Sequence, residues 1–113
     1  MNLTTEQSGG VSIVRVTDAR VMYPMLGDFS GAISGLVATG HRNILIDLAK
    51  VTYVDSATIG CLMDLYRQIN AAGGHLKLSG VQKRVETMLT MTGAQNFIQI
   101  HADEAGAVKS FGV

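Results

Sequence analysis

A chain of 113 residues with 47% apolar side chains has the length and apolar content of one globular domain, not of a disordered segment. Nine basic and nine acidic residues cancel, which argues against any partner held mainly by charge, so neither nucleic acid nor an anionic membrane is an expected ligand. Cys61 is the sole cysteine, MNLTTEQ lacks the basic and apolar regions of a signal peptide, and no apolar run approaches the roughly eighteen residues of a membrane span; a cytoplasmic protein without disulfides is expected.

Leu3 to Gln7 and Val11 to Val16 flank Ser8-Gly9-Gly10, which predicts a hairpin whose second strand sends Val11 and Ile13 to one face and Val14 and Val16 to the other. From about Pro24 to Thr39, Met25, Leu26, Phe29, Ile33, Leu36 and Val37 recur at helical spacing, with Gly40 as the stop. Asn43 to Leu48 is a continuous apolar run, the pattern of a strand covered on both faces and the best candidate for the centre of a sheet. A second helix carries Ile59, Leu62, Leu65, Tyr66 and Ile69 and closes at Gly73-Gly74. His75 to Ser79 predicts a strand, Val81 to Thr92 a third helix ended by Gly93, and Phe97 to Ile100 a last strand. Asp103 to Phe111 predicts a closing helix, with acids in its first turn and Lys109 near its end. Alternating β and α elements after Gly40 imply an α/β domain with a mixed, mostly parallel sheet of four to five strands and about four helices mainly on one face.

Candidate chemistry concentrates at Val54-Asp55-Ser56-Ala57-Thr58-Ile59-Gly60, where the chain enters the second helix. Asp55 or Ser56 is the expected N-cap, and the amides of Ala57, Thr58 and Ile59 at the positive end of the helix would favour an anion. A phosphate on Ser56 would bring about −1.5 to −2 charges to that place. Plain helix capping accounts for the same residues without any function. No metal site is expected, because His41, His75 and His101 fall in no paired ligand spacing. A hydrolase at Ser56 lacks a GxSxG elbow, a thiol role for Cys61 meets an apolar helix face, and no phosphate-binding glycine motif is present, so no enzyme is expected.

Asp47-Leu48, Asp55-Ser56-Ala57, Gly73-Gly74 and Thr92-Gly93 stand together at the spacing of one family. Over 11–111, and most closely from Ile44 to Gly93, the chain resembles the STAS domain of bacterial anti-sigma factor antagonists. The resemblance implies a single STAS domain over 1–113. It implies a binding protein whose Ser56 is phosphorylated by a kinase-type anti-sigma factor and restored by a serine phosphatase. Unphosphorylated, the antagonist would hold the anti-sigma factor; phosphorylated, it would be released, controlling transcription indirectly. The chain itself would need no cofactor, since ATP and Mg²⁺ belong to the partner kinase, and it would be a monomer or weak dimer.

The sequence departs from the family pattern at Thr58, where a glycine is common and whose hydroxyl is a second, less favoured phosphoacceptor, and at Val21, which occupies the place of an aspartate. Asp18 and Arg20 lie in the same loop, and Arg20 is a candidate to pair with Asp55 or with a phosphate on Ser56. The expected partner-binding surface comprises Asp18, Arg20, Met22, Tyr23, Asp55, Ser56, Ala57, Thr58, Ile59, Cys61 and Met63, the methionines giving an adaptable patch. The alternative is a STAS scaffold or partner-switch module with a non-sigma target, not switched by phosphorylation.

Overall fold

The computed structural model describes all 113 residues. Strands β1 (Leu3–Ser8) and β2 (Val11–Val16) form the antiparallel hairpin, with Gly9 and Gly10 both at positive φ in the turn. β3 (Arg20–Val21) follows, then a 3₁₀ turn over Tyr23–Met25 and α1 (Leu26–Ala38). β4 (Asn43–Asp47), β5 (Tyr53–Val54), α2 (Ser56–Ala71), β6 (His75–Ser79), α3 (Lys83–Thr92), β7 (Gln99–His101) and α4 (Glu104–Ser110) complete the chain.

Five strands make the main sheet in the order β1-β2-β4-β6-β7, parallel at every pair except β1 with β2. β4 is central, and its residues alternate between two covered faces as the apolar run implied. Ile44 and Ile46 join the principal core with Val14, Phe29, Leu62, Ile69 and Leu78, under α1, α2 and α3. Leu45 joins Val11, Ile13 and Ala107 in a smaller core that α4 covers alone. Three helices on one face and a short one on the other agree with the α/β architecture expected.

The differences are local and have causes. Pro24 sits in a 3₁₀ turn because the chain must bend from extended Met22 before α1 starts at Leu26. Helix α3 starts at Lys83, not Val81, since Gln82 stays extended and its side-chain amide donates to the Ala49 carbonyl at 2.9 Å. Phe97 falls outside the last strand: Ala94–Asn96 form a 3₁₀ turn, and the Phe97 ring instead meets Tyr66 at 6.2 Å between centroids. β3 and β5 pair in parallel as a separate two-stranded ladder, Arg20 beside Tyr53 and Val21 beside Val54; pairs so short carry no periodicity to read.

Glycines set the far end of α2. Gly73 has φ +82°, and a Cβ on Gly74 would collide with the Arg42 carbonyl, so this turn requires glycine twice for two different reasons.

Candidate functional site

The β3–β5 ladder ends where α2 begins, and this junction builds the site from backbone outward. Asp55 is extended, at φ −94° and ψ 175°, and caps α2: its Oδ1 accepts from the Thr58 amide at 2.8 Å. Its Oδ2 accepts from the Tyr23 amide at 2.9 Å, which fastens the start of the 3₁₀ turn to the start of α2. Burial opposes the Asp55 charge, but the Thr58 hydroxyl and then the Tyr23 and Thr58 amides outweigh it and hold the carboxyl below its ordinary value.

Thr58 faces inward. It is 2% exposed, and its hydroxyl lies 2.6 Å from Asp55 Oδ1 and 2.9 Å from the Val21 carbonyl. The expectation that Thr58 is a second phosphoacceptor is therefore corrected: the hydroxyl is buried and already bonded. Ile59, at 5% exposure, belongs mainly to the principal core but also lines the groove beside Ser56.

Ser56 is different. It is the first residue of α2, exposed, and its hydroxyl makes no hydrogen bond within the chain. Of the amides expected to welcome an anion, Thr58 donates to the Asp55 side chain and Ile59 to the Asp55 carbonyl at 3.3 Å. Ser56 and Ala57 are left as the first-turn amides with no acceptor in the chain, one of which the sequence reading had not counted.

Two grooves run along the exposed side of α2. One, of about 500 Å³, has Ser56 at one end and Phe97 at the other, with Met63 and Arg67 between. The other, of about 470 Å³, is lined by Tyr23, Leu26, Ala57 and Cys61. Gly60 and Asp64 line both, and with Leu26, Arg67 and Phe97 they are among the lining residues sequence reasoning missed. The polar stripe Ser56, Gly60, Asp64 and Arg67 at helical spacing was the available signal for the first two.

Among the remaining candidates, Tyr23 is 73% exposed, while Met22, Ala57, Cys61 and Met63 are half-buried. Burial, and secondarily Asp64, pushes the Cys61 thiol up. Arg20 does not pair with Asp55: its guanidinium stacks over Tyr53, 4.9 Å from the ring centroid, and Asp55 already has three donors from its own surroundings. Asp18 is turned toward the chain start, where its Oδ1 accepts from the Asn2 amide at 2.7 Å. No helix of the chain is long and apolar enough to cross a membrane.

Comparison with known proteins gives a consistent result. The STAS domain profile matches residues 2–107. The anti-sigma-B factor antagonist of Bacillus subtilis (strain 168) is 30% identical over 73 residues, 65% of this chain and 67% of that protein. Two putative anti-sigma factor antagonists of Thermotoga and the anti-sigma F factor antagonist of Paenibacillus polymyxa match over only 55 to 57% of their own length. Among solved structures, a putative anti-sigma factor antagonist from Thermotoga maritima superposes with a TM-score of 0.88 at 18% identity, over 98% of this chain and 95% of that one. The Bacillus cell fate determinant SpoIIAA in its phosphorylated form gives 0.74 at 15% identity, over 96% and 98%. At such identities the structural likeness speaks for the fold.

Proposed function

This chain belongs to the STAS domain family, and from that premise we propose that it is an anti-sigma factor antagonist switched by phosphorylation of Ser56. One observation carries the reading to that residue. At the start of α2, Asp55 and Thr58 are engaged internally, whereas the Ser56 hydroxyl stands exposed and unpartnered beside the two free first-turn amides.

Unphosphorylated, the exposed side of α2 and the adjoining Tyr23 dock on a kinase-type anti-sigma factor. In the switching step, Ser56 Oγ attacks the γ-phosphorus of ATP bound to that partner. Its proton passes to a base of the partner, the bond to the bridging oxygen breaks, and ADP leaves. The product carries about −1.5 to −2 charges where none stood. The Ser56 and Ala57 amides and the helix dipole tolerate that group in the free domain, so the fold is kept. In the complex the same charge would be buried against the partner, and its desolvation drives release. Hydrolysis of the phosphoserine by a serine phosphatase, giving inorganic phosphate, returns the docking form. In this scheme the chain is substrate and switch, and the catalytic groups belong to the partners.

The test is the intact mass of the protein taken from its host in two growth states, with mapping of the peptide that contains Ser56. A single phosphate on that peptide, changing in occupancy between states, supports the switch. Its absence in every state leaves Ser56 as the first residue of a capped helix and favours a STAS scaffold. Ser56→Ala and Ser56→Asp baits then separate partners: the switch requires a kinase-like anti-sigma factor held by the first and lost by the second.

A further inference from the structure

Arg20, Lys50, Lys83 and Arg84 are exposed and enter no ion pair and no side-chain hydrogen bond within the chain. The fold gathers them at the end of the sheet that carries Ser56. Arg20 stacks on Tyr53, three residues before Ser56 along an extended path, so at about 3.3 Å per residue the two places lie within roughly 10 Å. Lys50 follows Ala49, whose carbonyl accepts from the Gln82 side chain at 2.9 Å, and Gln82 directly precedes Lys83 and Arg84 at the start of α3. Helix α3 packs on β5, so the cations form a band from β3 across the loop 48–52 to α3.

The carboxylates of this end are engaged elsewhere. Asp55 is held by Thr58 and the Tyr23 amide, Asp47 by Arg15 and the Ala49 amide, and Asp18 by the Asn2 amide. The exposed acids of this end are Glu86, one turn into α3, Asp28, 3.7 Å from the Met1 amino group, and Asp103, which caps α4. Beside Asp55 stands Tyr23, the large apolar side chain most exposed at this end. An exposed aromatic side chain at the same end as a band of charged ones supplies the two components of a protein interface, an anchor and a polar rim.

We propose that Tyr23 with the band Arg20, Lys50, Lys83 and Arg84 is a docking surface for a protein partner that presents carboxylates around an apolar pocket. The inference rests on the reading of the Ser56 end as the docking end and adds the sign of the partner's charge. That sign fits the switch: a phosphate at Ser56 repels carboxylates, whereas a basic partner would be drawn in by it. Four cations interleaved with Glu86, in a chain of zero net charge, are too few to hold a polyanion, which needs many phosphate contacts.

The test is an amide chemical-shift titration of the full, ¹⁵N-labelled chain with a short peptide of alternating Glu and Leu. Its Lys-Leu counterpart, single-stranded DNA and phosphatidylglycerol vesicles are titrated in parallel. The expected result is perturbation at Arg20, Tyr23, Lys50, Lys83 and Arg84 by the Glu-Leu peptide alone, weakened by salt. A Lys83→Glu, Arg84→Glu variant with unchanged Tm should bind that peptide about tenfold more weakly. Shifts confined to other residues, no shifts, or equal binding by the variant overturns the proposal. So does binding of DNA or vesicles to the same residues. No kinase or phosphate takes part, so a chain never phosphorylated at Ser56 leaves this result standing, and a failed titration leaves the phosphorylation test untouched.

Discussion

Asp55 and Thr58 close on each other through two bonds to one oxygen: Asp55 Oδ1 lies 2.8 Å from the Thr58 amide and 2.6 Å from its hydroxyl. That hydroxyl also lies 2.9 Å from the Val21 carbonyl, so one buried side chain joins β3, the start of α2 and its cap. Thr58→Val keeps the shape and removes the hydroxyl, whose single proton is shared between Asp55 Oδ1 and the Val21 carbonyl, so both lose that donor. The expected loss is about 1 to 3 kcal/mol in urea unfolding, with Thr58→Ser losing less than half as much.

The same cap predicts a pH dependence. The folded Asp55 carboxyl is held below its ordinary value, so its contribution to stability is full above that value and is lost as pH falls through the folded one. Asp55→Asn should therefore be less stable than the parent at neutral pH, by about 1 kcal/mol, with the difference shrinking below about pH 4. A constant difference across urea titrations at both pH values would contradict the assignment.

Arg15 predicts a dependence in the same direction, through its neighbours' protonation and not its own. It bridges Asp47, Glu6 and Glu104, and these carboxylates, Glu104 first, hold its guanidinium above its ordinary value. Arg15→Met leaves three acids facing one another across β1, β2, β4 and α4. The variant should be destabilised at pH 7 by about 1 to 2 kcal/mol, since solvent screens these partly exposed groups, and regain part of the loss as pH falls toward about 4, where the acids protonate. Thermal melts at both pH values decide it.

Glycine substitutions should divide sharply. Gly74→Ala forces a Cβ into the Arg42 carbonyl and should cost at least about 2 kcal/mol. Gly35, inside α1, has open space where a Cβ would stand, and Gly35→Ala should raise stability by about 0.5 to 1 kcal/mol. Paired denaturation curves measure both.

Much of this architecture was legible because it is written in periodicity. Val11 and Ile13 against Val14 and Val16 assigned both faces of β2, and Asn43 to Leu48 announced a central strand, since alternating burial leaves such plain patterns. The Asp55-Ser56 cap was legible from residue type. What escaped depends on contacts far apart in sequence. Nothing near Thr58 says that it bonds the Val21 carbonyl, and nothing near Arg20 says that Tyr53 will lie beneath it. The β3–β5 ladder is two residues long and has no period to detect. Phe97 reads as a strand residue because it opens the apolar alternation with Ile98 and Ile100, while the turn at Ala94–Asn96 decides otherwise.

The two faces of the sheet are unequally insured against fluctuation. Twenty buried residues lock α1, α2 and α3 together, while α4 rests on Val11, Ile13 and Leu45 through its own Ala107, Val108 and C-cap Phe111, tied by the Arg15–Glu104 ion pair and by the Lys77 ammonium donating to the Ser110 carbonyl at 3.1 Å. Helix α4 is thus the segment able to lift off and re-seat while the rest of the domain stays folded. Its amides should exchange with solvent through that partial opening, whereas those of α2 exchange only when the whole domain unfolds. The Ser56 end is built on the slow-breathing side, so its geometry persists through the excursions of the helix behind it.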